Sequence, residues 1–349
     1  MRASVIIPAY QAECFVARAI VSALRQSERS LEVLVVDDAS TDGTASVVTE
    51  WARQDRRLSL LRNERNAGPA AARNRGLAQA KGDWIALLDA DDEFEPRRLE
   101  TLIAQGEQKA ADLVSDNLLL CQENQASTGS PMIPGGMFPT ARWMSAADFV
   151  LGNIGSAKNP RVSLGFMQPV IRRRFIEAHQ LRYDEQNRFA EDFMFSLSSL
   201  LAGGCWWVTP EAMYRYHVRR GSLTERQSAA DLQRVRAFEA KLLQTHPKVA
   251  VDAALARALH RHKSIIERHY YYRAFTDAAK ARAFARAFEI LFESARGFHH
   301  IIHESLVQAP TIATKALRGG YWRPLPGMVK EDARLIAQPG ASRRIEKEG

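Results

Sequence analysis

Short apolar runs and stretches of helical spacing alternate along the first 120 residues. Ser4–Pro8 (SVIIP) is strand-like, and Phe15, Ala19 and Ala23 then mark a helix over Phe15–Leu24. Leu31–Val36 (LEVLVV) is a second strand, Thr44–Trp51 a helix, Leu58–Leu61 a strand, Ala70–Gln79 a helix and Trp84–Leu88 a strand. Strand and helix in regular alternation predict βαβ units, hence a largely parallel sheet with helices on both faces. Such sheets bind ligands beyond the carboxyl ends of their strands. The polar clusters fall at those ends: Ala9-Tyr10, Asp37-Asp38 and Asp89-Asp91-Asp92.

From about Gln125 to Gly165 the chain turns rich in Gly, Pro and Ser. This predicts a long substrate-facing loop with a short helix around Ala146–Leu151. Regular structure is expected again at Phe166–Ile171, in a helix over Glu191–Leu201 and in a strand at Trp206–Thr209. Beyond about Leu223, Leu232, Val235, Phe238 and Leu242, then Phe284, Phe288 and Leu291, recur at helical spacing with Arg and Lys between them. The predicted organisation is an α/β domain over 1–224 (halves 1–120 and 121–224), a helical region over 225–310 and a basic tail over 311–349. No internal repeat stands out.

Composition narrows the class. The 349 residues are 46% hydrophobic and 25% charged, which suits a globular core and excludes a disordered chain. Three scattered cysteines (Cys14, Cys121, Cys205) make no disulfide framework and no metal spacing. No apolar run reaches the roughly 18 residues of a membrane span, and Met1–Tyr10 reads as a strand, not a leader. The expectation is a cytoplasmic protein, or one on the inner face of the membrane. The net charge of +8 is uneven: residues 1–224 hold 26 Lys and Arg against 27 Asp and Glu, and residues 225–349 hold 22 against 13. A basic third attracts nucleic acid or anionic lipid. The neutral remainder, where the chemistry lies, argues against a protein built to read DNA.

Three segments carry chemistry. In VVDDASTDGT (35–44) an apolar strand ends in two aspartates, and Ser40, Thr41 and Asp42 offer caps for the next helix. A carboxylate there can accept hydrogen bonds from a nucleotide base, or the segment is a capped turn. In LLDADDEFEP (87–96), Asp89, Asp91 and Asp92 crowd one strand end, where like charges raise one another's pKa. A divalent cation resolves the crowding, since Mg²⁺ takes one or two carboxylates plus substrate phosphates; a solvated acidic turn is the plain alternative. Between them, in NERNAGPAAARNRGLAQAKGDW (63–84), Gly68 breaks the chain and Pro69 suits the first helical position. Arg73 lies early in that helix, within reach of a phosphate or base.

Taken with SVIIPAYQAE (4–13), NAGPAAARNRG (66–76) and GDWIALLDADD (82–92), the chain resembles the family 2 glycosyltransferases that build bacterial polysaccharides. The resemblance covers roughly the first 220 residues. It implies a GT-A fold, an α/β Rossmann-like arrangement with a mostly parallel sheet and flanking helices, here followed by the C-terminal helical region. It implies that Pro8, Ala9, Tyr10, Glu13 and Asp38 hold the nucleoside and that Arg73 lies near the donor. The D-x-D element becomes Asp89-Ala90-Asp91, with Asp89 towards the ribose and Asp91 on Mg²⁺ or Mn²⁺. The family's base is the aspartate of a Glu-Asp pair, which points to Asp192, in the first turn of a helix whose dipole is expected to keep it ionised. His217, in MYRYHVRRGSLT (213–224), is directed to the metal or diphosphate, or is structural. The implied reaction is inverting transfer of a hexose from a nucleotide sugar, with UDP as the family's commonest carrier, to a saccharide or lipid-linked acceptor.

Other features leave alternatives open. Arg219 and Arg220 cover the diphosphate or are solvated, and Arg172–Arg174 end a strand or face the acceptor. Trp206 and Trp207 stack on sugar or fill the core. His299, His300 and His303 have helical metal spacing but no partner carboxylate, which argues against zinc. Phe284, Phe288 and Leu291 near Arg282, Arg286 and Arg296, followed by Lys315, Arg318, Tyr321, Trp322 and Arg323, suit a lipid headgroup region; packing on the catalytic domain is the other outcome. A sugar nucleotidyltransferase is disfavoured because IPAYQAE lacks a Gly-rich loop after the first strand. A non-enzymatic nucleic-acid binder is disfavoured because RNA-recognition signatures are absent. The oligomeric state is left open.

Overall fold

The computed structural model describes residues 1–122, 129–133, 138–154, 163–187, 189–218, 228–293 and 297–302. Strands β1 (Ala3–Ala9), β2 (Leu31–Asp37), β3 (Leu58–Arg62) and β4 (Trp84–Leu87) alternate with helices α1 (Val16–Leu24), α2 (Thr44–Gln54) and α3 (Pro69–Gln79). Next come β5 (Glu93–Phe94), α4 (Arg98–Lys109), β6 (Leu113–Gln122), β7 (Ser130–Pro131), β8 (Arg142–Met144) and α5 (Ala146–Gly152). They are followed by β9 (Val170–Arg172), α6 (Arg173–Ala178), α7 (Glu191–Leu201) and β10 (Trp206–Val218). Helices α8 (Ala229–Thr245), α9 (Pro247–Val251), α10 (Ala253–Lys280) and α11 (Phe284–Phe292) come last.

All strands join one sheet in the order β3-β2-β1-β4-β9-β6-β10-β5, with β7 on β6 and β8 on β10. The first four are parallel, as their alternation with helices predicts. β9 runs against both β4 and β6, so β6 and β10 point the same way as β4. The carboxyl ends of β1, β2 and β4 therefore lie side by side. The strands read as continuous apolar runs because both faces are covered: Val5, Ile6, Ile7, Val33, Val35 and Val36 have no exposed surface. Each such side chain contributes about 1.5–3 kcal/mol relative to exposure. α3 starts at Pro69, after Gly68 with φ +91°, a conformation open to glycine. Gly76 lets α3 lie against β1, where a Cβ would stand 2.3 Å from Ile6 Cγ2.

α7 has the bounds its sequence predicts, and α5 extends its predicted span by one residue. The expected regular stretch at Phe166–Ile171 divides into a 3₁₀ turn (Leu164–Phe166) and β9. β10 outruns the predicted strand, because beyond an irregularity between Val208 and Tyr214 it goes on pairing with β6 and β5. α4 and β6 are not among the predicted elements. Of the expected caps of α2, Asp42 Oδ1 accepts from Thr44 N of the first turn at 3.0 Å, whereas the N-cap position is Gly43 and the side chains of Ser40 and Thr41 bond Gln11 instead. They lace the β1–α1 loop to the β2–α2 loop.

Arg98 and Asp116 form a fully buried ion pair that ties α4 to β6. Nε and Nη2 of Arg98 donate to Asp116 Oδ1 at 3.0 and 2.8 Å. The guanidinium lies under the Phe94 ring, and Asp116 Oδ2 accepts from Met213 N of β10. The C-terminal helices share the core of the α/β part through Leu232, Val235, Leu255, Leu259 and Ile266. Among the described residues no helix is long and apolar enough to cross a membrane. Arg219, Arg220, Arg296, His303 and the tail over 311–349 lie outside the described residues.

Candidate active site

The strand-end loops are held in tense backbone conformations. Gln11 after β1, Ala39 after β2 and Ala190 before α7 all have positive φ (51°, 60° and 58°) without being glycine. Each costs of order 1 kcal/mol, and such strain persists where surrounding contacts over-determine it.

The nucleoside side of the site is built by β1 and β2. Ala9 pairs with Asp37, and its carbonyl accepts from Asp38 N at 2.8 Å. Pro8 is half-buried, Ala9 buried, and Tyr10 is 53% exposed beyond the strand end. Glu13 caps α2: Oε2 accepts from Gly43 N at 2.9 Å. The buried Asp38 carboxylate organises the loop before α3, with Oδ1 accepting from Asn63 Nδ2 (2.7 Å) and Oδ2 from Gly68 N (2.7 Å). These contacts fix the shape of the strand-end loops.

The D-x-D side is built by the end of β4, where Ala90 is buried. Asp92 turns away from Asp89 and Asp91. Its Oδ2 accepts from Tyr214 Oη at 2.8 Å and its Oδ1 from His217 N at 2.8 Å, so it fastens the turn to β10. Tyr214 Oη also accepts from Asp89 N. His217 Nε2 lies 2.8 Å from Glu93 Oε1, and burial lowers the histidine's pKa. Its imidazole is engaged by Glu93. Arg18 of α1 holds the Asp91 carbonyl at 2.5 Å.

Between the D-x-D turn and α7 stands Arg73. Nη1 donates to Glu191 Oε1 at 2.6 Å, and Nη2 lies 3.1 Å from Asp89 Oδ1 and 3.4 Å from Asp192 Oδ2. Its guanidinium faces the buried Tyr183 ring at 5.4 Å. One buried cation thus serves three carboxylates. Burial pushes Asp192 up to about 7, which Arg73 opposes and the charges of Glu191 and Asp89 reinforce. The expectation that the helix dipole keeps this carboxylate ionised is corrected, because desolvation outweighs it. Among the described residues Asp192 Oδ1 has no hydrogen-bond partner, while Oδ2 accepts from Gln168 Nε2 at 3.2 Å. A carboxylate poised near 7 suits general-base work at neutral pH.

Asp89 is also raised, by burial first and by Asp91 and Glu191 against Arg73. Among the described residues no three His, Cys, Asp or Glu side chains gather in metal-holding geometry. The donor set nonetheless fits a hard cation. Asp89 and Asp91 offer oxygen ligands at one strand end, their mutual repulsion would be relieved by positive charge, and Mg²⁺ or Mn²⁺ completes its shell with phosphates.

The structure thus brings together Arg73, Asp89 and Asp192, and sets Pro8, Tyr10, Glu13 and Asp38 along the adjacent strand ends. Sequence reasoning missed the role of Glu191, the ring of Tyr183 and, above all, Gln168, whose segment (GFMQPV) carried no signal. Trp206 is core, donating to Ser115 Oγ, and Trp207 packs on the exposed Trp143. Arg172 and Arg173 are occupied by main-chain carbonyls, while Arg174 is exposed.

Residues 4–177 match the sequence profile of the family described as Glycosyl transferase family 2. Over 284 residues the chain is 36% identical to the succinoglycan biosynthesis protein ExoU of Rhizobium meliloti, covering 81% of each chain. It is 36% identical over 219 residues to the succinoglycan biosynthesis protein ExoO of the same organism, covering 63% of this chain and 61% of that one. Among solved structures, S. aureus TarS 1–349 in complex with UDP superposes with a TM-score of 0.61 at 21% identity, over 93% of both chains. The mannosyltransferase PcManGT from Pyrobaculum calidifontis, in complex with GDP-Man and Mn²⁺, gives 0.55 at 19% identity, over 92% of this chain and 88% of that one. At these identities the structures share the fold.

Proposed function

The chain belongs to glycosyl transferase family 2, and from that premise we propose that it is an inverting hexosyltransferase of bacterial polysaccharide synthesis. The donor is a nucleotide sugar, UDP-linked in our reading, and the acceptor a saccharide or a lipid-linked oligosaccharide met at the inner face of the cell membrane. Two relatives named for succinoglycan biosynthesis support the polysaccharide assignment.

The reaction joins an acceptor oxygen to the anomeric carbon as the carbon–phosphate oxygen bond breaks. The acceptor proton passes to the Asp192 carboxylate, and the electron pair of the broken bond leaves on the diphosphate. A single displacement inverts the anomeric centre. Pro8, Ala9, Tyr10, Glu13 and Asp38 line the nucleoside end, Asp89 and Ala90 the ribose side, and Arg73 sits between donor and base. Asp91 and Asp89 would hold Mg²⁺ or Mn²⁺, with His217 a further ligand if it leaves Glu93. When bound, the cation offsets the charge developing on the leaving diphosphate.

The observation that carries this reading is the placing of Asp89 and Asp192 on one guanidinium, 3.1 and 3.4 Å from Arg73 Nη2. It sets a donor-side carboxylate and a base of neutral pKa either side of a single point. The test is a panel of sugar nucleotides with Mn²⁺, read by thermal stabilisation of the purified protein and by transfer to polysaccharide-derived acceptors. A protein that no sugar nucleotide stabilises overturns the reading.

A further inference from the structure

The C-terminal helices do two different things. α11 leaves Phe284, Phe288 and Phe292 exposed, so the apolar stripe read there does not pack on the catalytic domain. α8 and α10 reach the candidate active site itself, through one buried polar pair. His262 of α10 is 6% exposed and Glu239 of α8 is wholly buried, and His262 Nδ1 is hydrogen-bonded to Glu239 Oε1. The His262 ring stacks on Phe193, with centroids 4.9 Å apart and planes at 19°. Phe193 follows Asp192 directly at the start of α7. Its ring also stacks on Phe149 of α5, at 5.5 Å and 15°, and Phe149 in turn meets Trp206 of β10. A line of rings thus joins the sheet to the helical region and passes beside the base.

Packing alone does not require a polar pair here. Two apolar side chains would fill the space without desolvating a carboxylate, and such a replacement of a buried polar pair is often neutral or stabilising. Glu239 Oε2 is buried with no hydrogen-bond partner among the described residues, which disfavours the pair further. What the hydrogen bond adds is direction: it fixes the plane of the imidazole, and so the ring stacked on it. The start of α7 needs such a fixture. Ala190, which precedes it, has φ +58°, a conformation that persists where surrounding contacts over-determine it. We propose that Glu239 and His262 are positioning residues for Asp192, setting the orientation of the first turn of α7 through Phe193. This role rests on Asp192 being the base of sugar transfer, and it makes α8 and α10 part of the catalytic apparatus.

The test compares the full native chain with Glu239→Gln, Glu239→Leu, and Glu239→Leu combined with His262→Phe. Glu239→Gln keeps an acceptor for Nδ1 and should hold kcat within a few-fold. Glu239→Leu removes it and should lower kcat about 10-fold or more, since a misplacement of about 1 Å suffices. KM for the sugar nucleotide and its calorimetric affinity should stay within a few-fold. The paired apolar variant separates positioning from folding: it should melt no lower than the native protein and still lose kcat. Hydrogen exchange should quicken at the start of α7 in both Leu-bearing variants, and not in β1–β4. A folded variant lacking the pair that keeps its kcat overturns the proposal. So does a loss shared alike by kcat, donor affinity and melting temperature, which Glu239→Gln does not rescue. A native protein that transfers no sugar strikes the proposed function instead, and α7 exchange unchanged by Glu239→Leu then overturns the positioning role by itself.

Discussion

Arg73 Nη2 stands 3.4 Å from Asp192 Oδ2, yet the aspartate is pushed up to about 7 rather than held below the usual carboxylate range. The same guanidinium also serves Asp89 and Glu191, so one positive charge is divided among three carboxylates in a buried site. Burial and the two like charges win. The ion pair positions the base and pulls its pKa down, but by less than burial and the two like charges raise it.

Activity should follow that proton. With Asp192 as base, kcat/KM falls tenfold per pH unit below about 7 and levels off above it. Asp192→Asn should lower kcat by at least about 10²-fold while donor affinity, measured by calorimetry, stays within a few-fold. A variant that keeps both its rate and its acid limb would remove Asp192 from the chemistry.

Stability should move the opposite way. The folded protein keeps the Asp192 proton up to about 7, whereas the unfolded chain releases it near 4. Between those values the folded state binds more protons, so stability falls as pH rises through this window. Asp192→Asn should therefore be more stable than the native protein at pH 8, by a few kcal/mol at most (about that much from the linkage), and the gain should vanish near pH 4. Paired thermal melts at the two pH values measure it.

Gln168 should tune the base. Its amide donates to Asp192 Oδ2 and so favours the ionised form. The groups facing this carboxylate are Arg73, Asp89, Glu191 and Tyr183. Gln168→Leu removes a donor from among them, so the acid limb of kcat/KM should shift to higher pH with the rate regained in alkaline buffer. A uniform loss at all pH values would mean the side chain serves packing alone.

The metal site should show in donor binding. Chelation is expected to weaken nucleotide-sugar affinity, and Asp91→Asn to weaken it at least about 10-fold in Mn²⁺. Asp91 is the better probe, because Asp89→Asn also disturbs Arg73. Calorimetric affinity unchanged by EDTA would assign Asp91 another role.

The buried Arg98–Asp116 pair should matter to folding alone. Asp116→Ala leaves Arg98 charged, desolvated and without its partner, a change that costs about 3–5 kcal/mol. Denaturant unfolding should show that loss, while activity per folded molecule is retained.

Much of this protein was legible in neighbouring residues. The βα alternation, the bounds of α7, the start of α3 at Pro69 and the acidic strand ends all follow from periodicity and turn chemistry that operate over a few residues. The family motifs picked out Arg73, Asp89 and Asp192 as separate points. Their meeting joins residues 16 and about 120 positions apart, and the pKa of Asp192 is set by how deeply that meeting is buried. Asp92 resembled its neighbours in sequence, but only the path of β10 made it a fastener for Tyr214 and His217. Gln168 had no pattern to announce it, since its use depends on α7 packing beside the 3₁₀ turn that precedes β9. The stripe on α11 was readable, whereas its exposure was not. Periodicity tells which side of a helix is apolar, and only the packing of distant elements decides whether that side is covered.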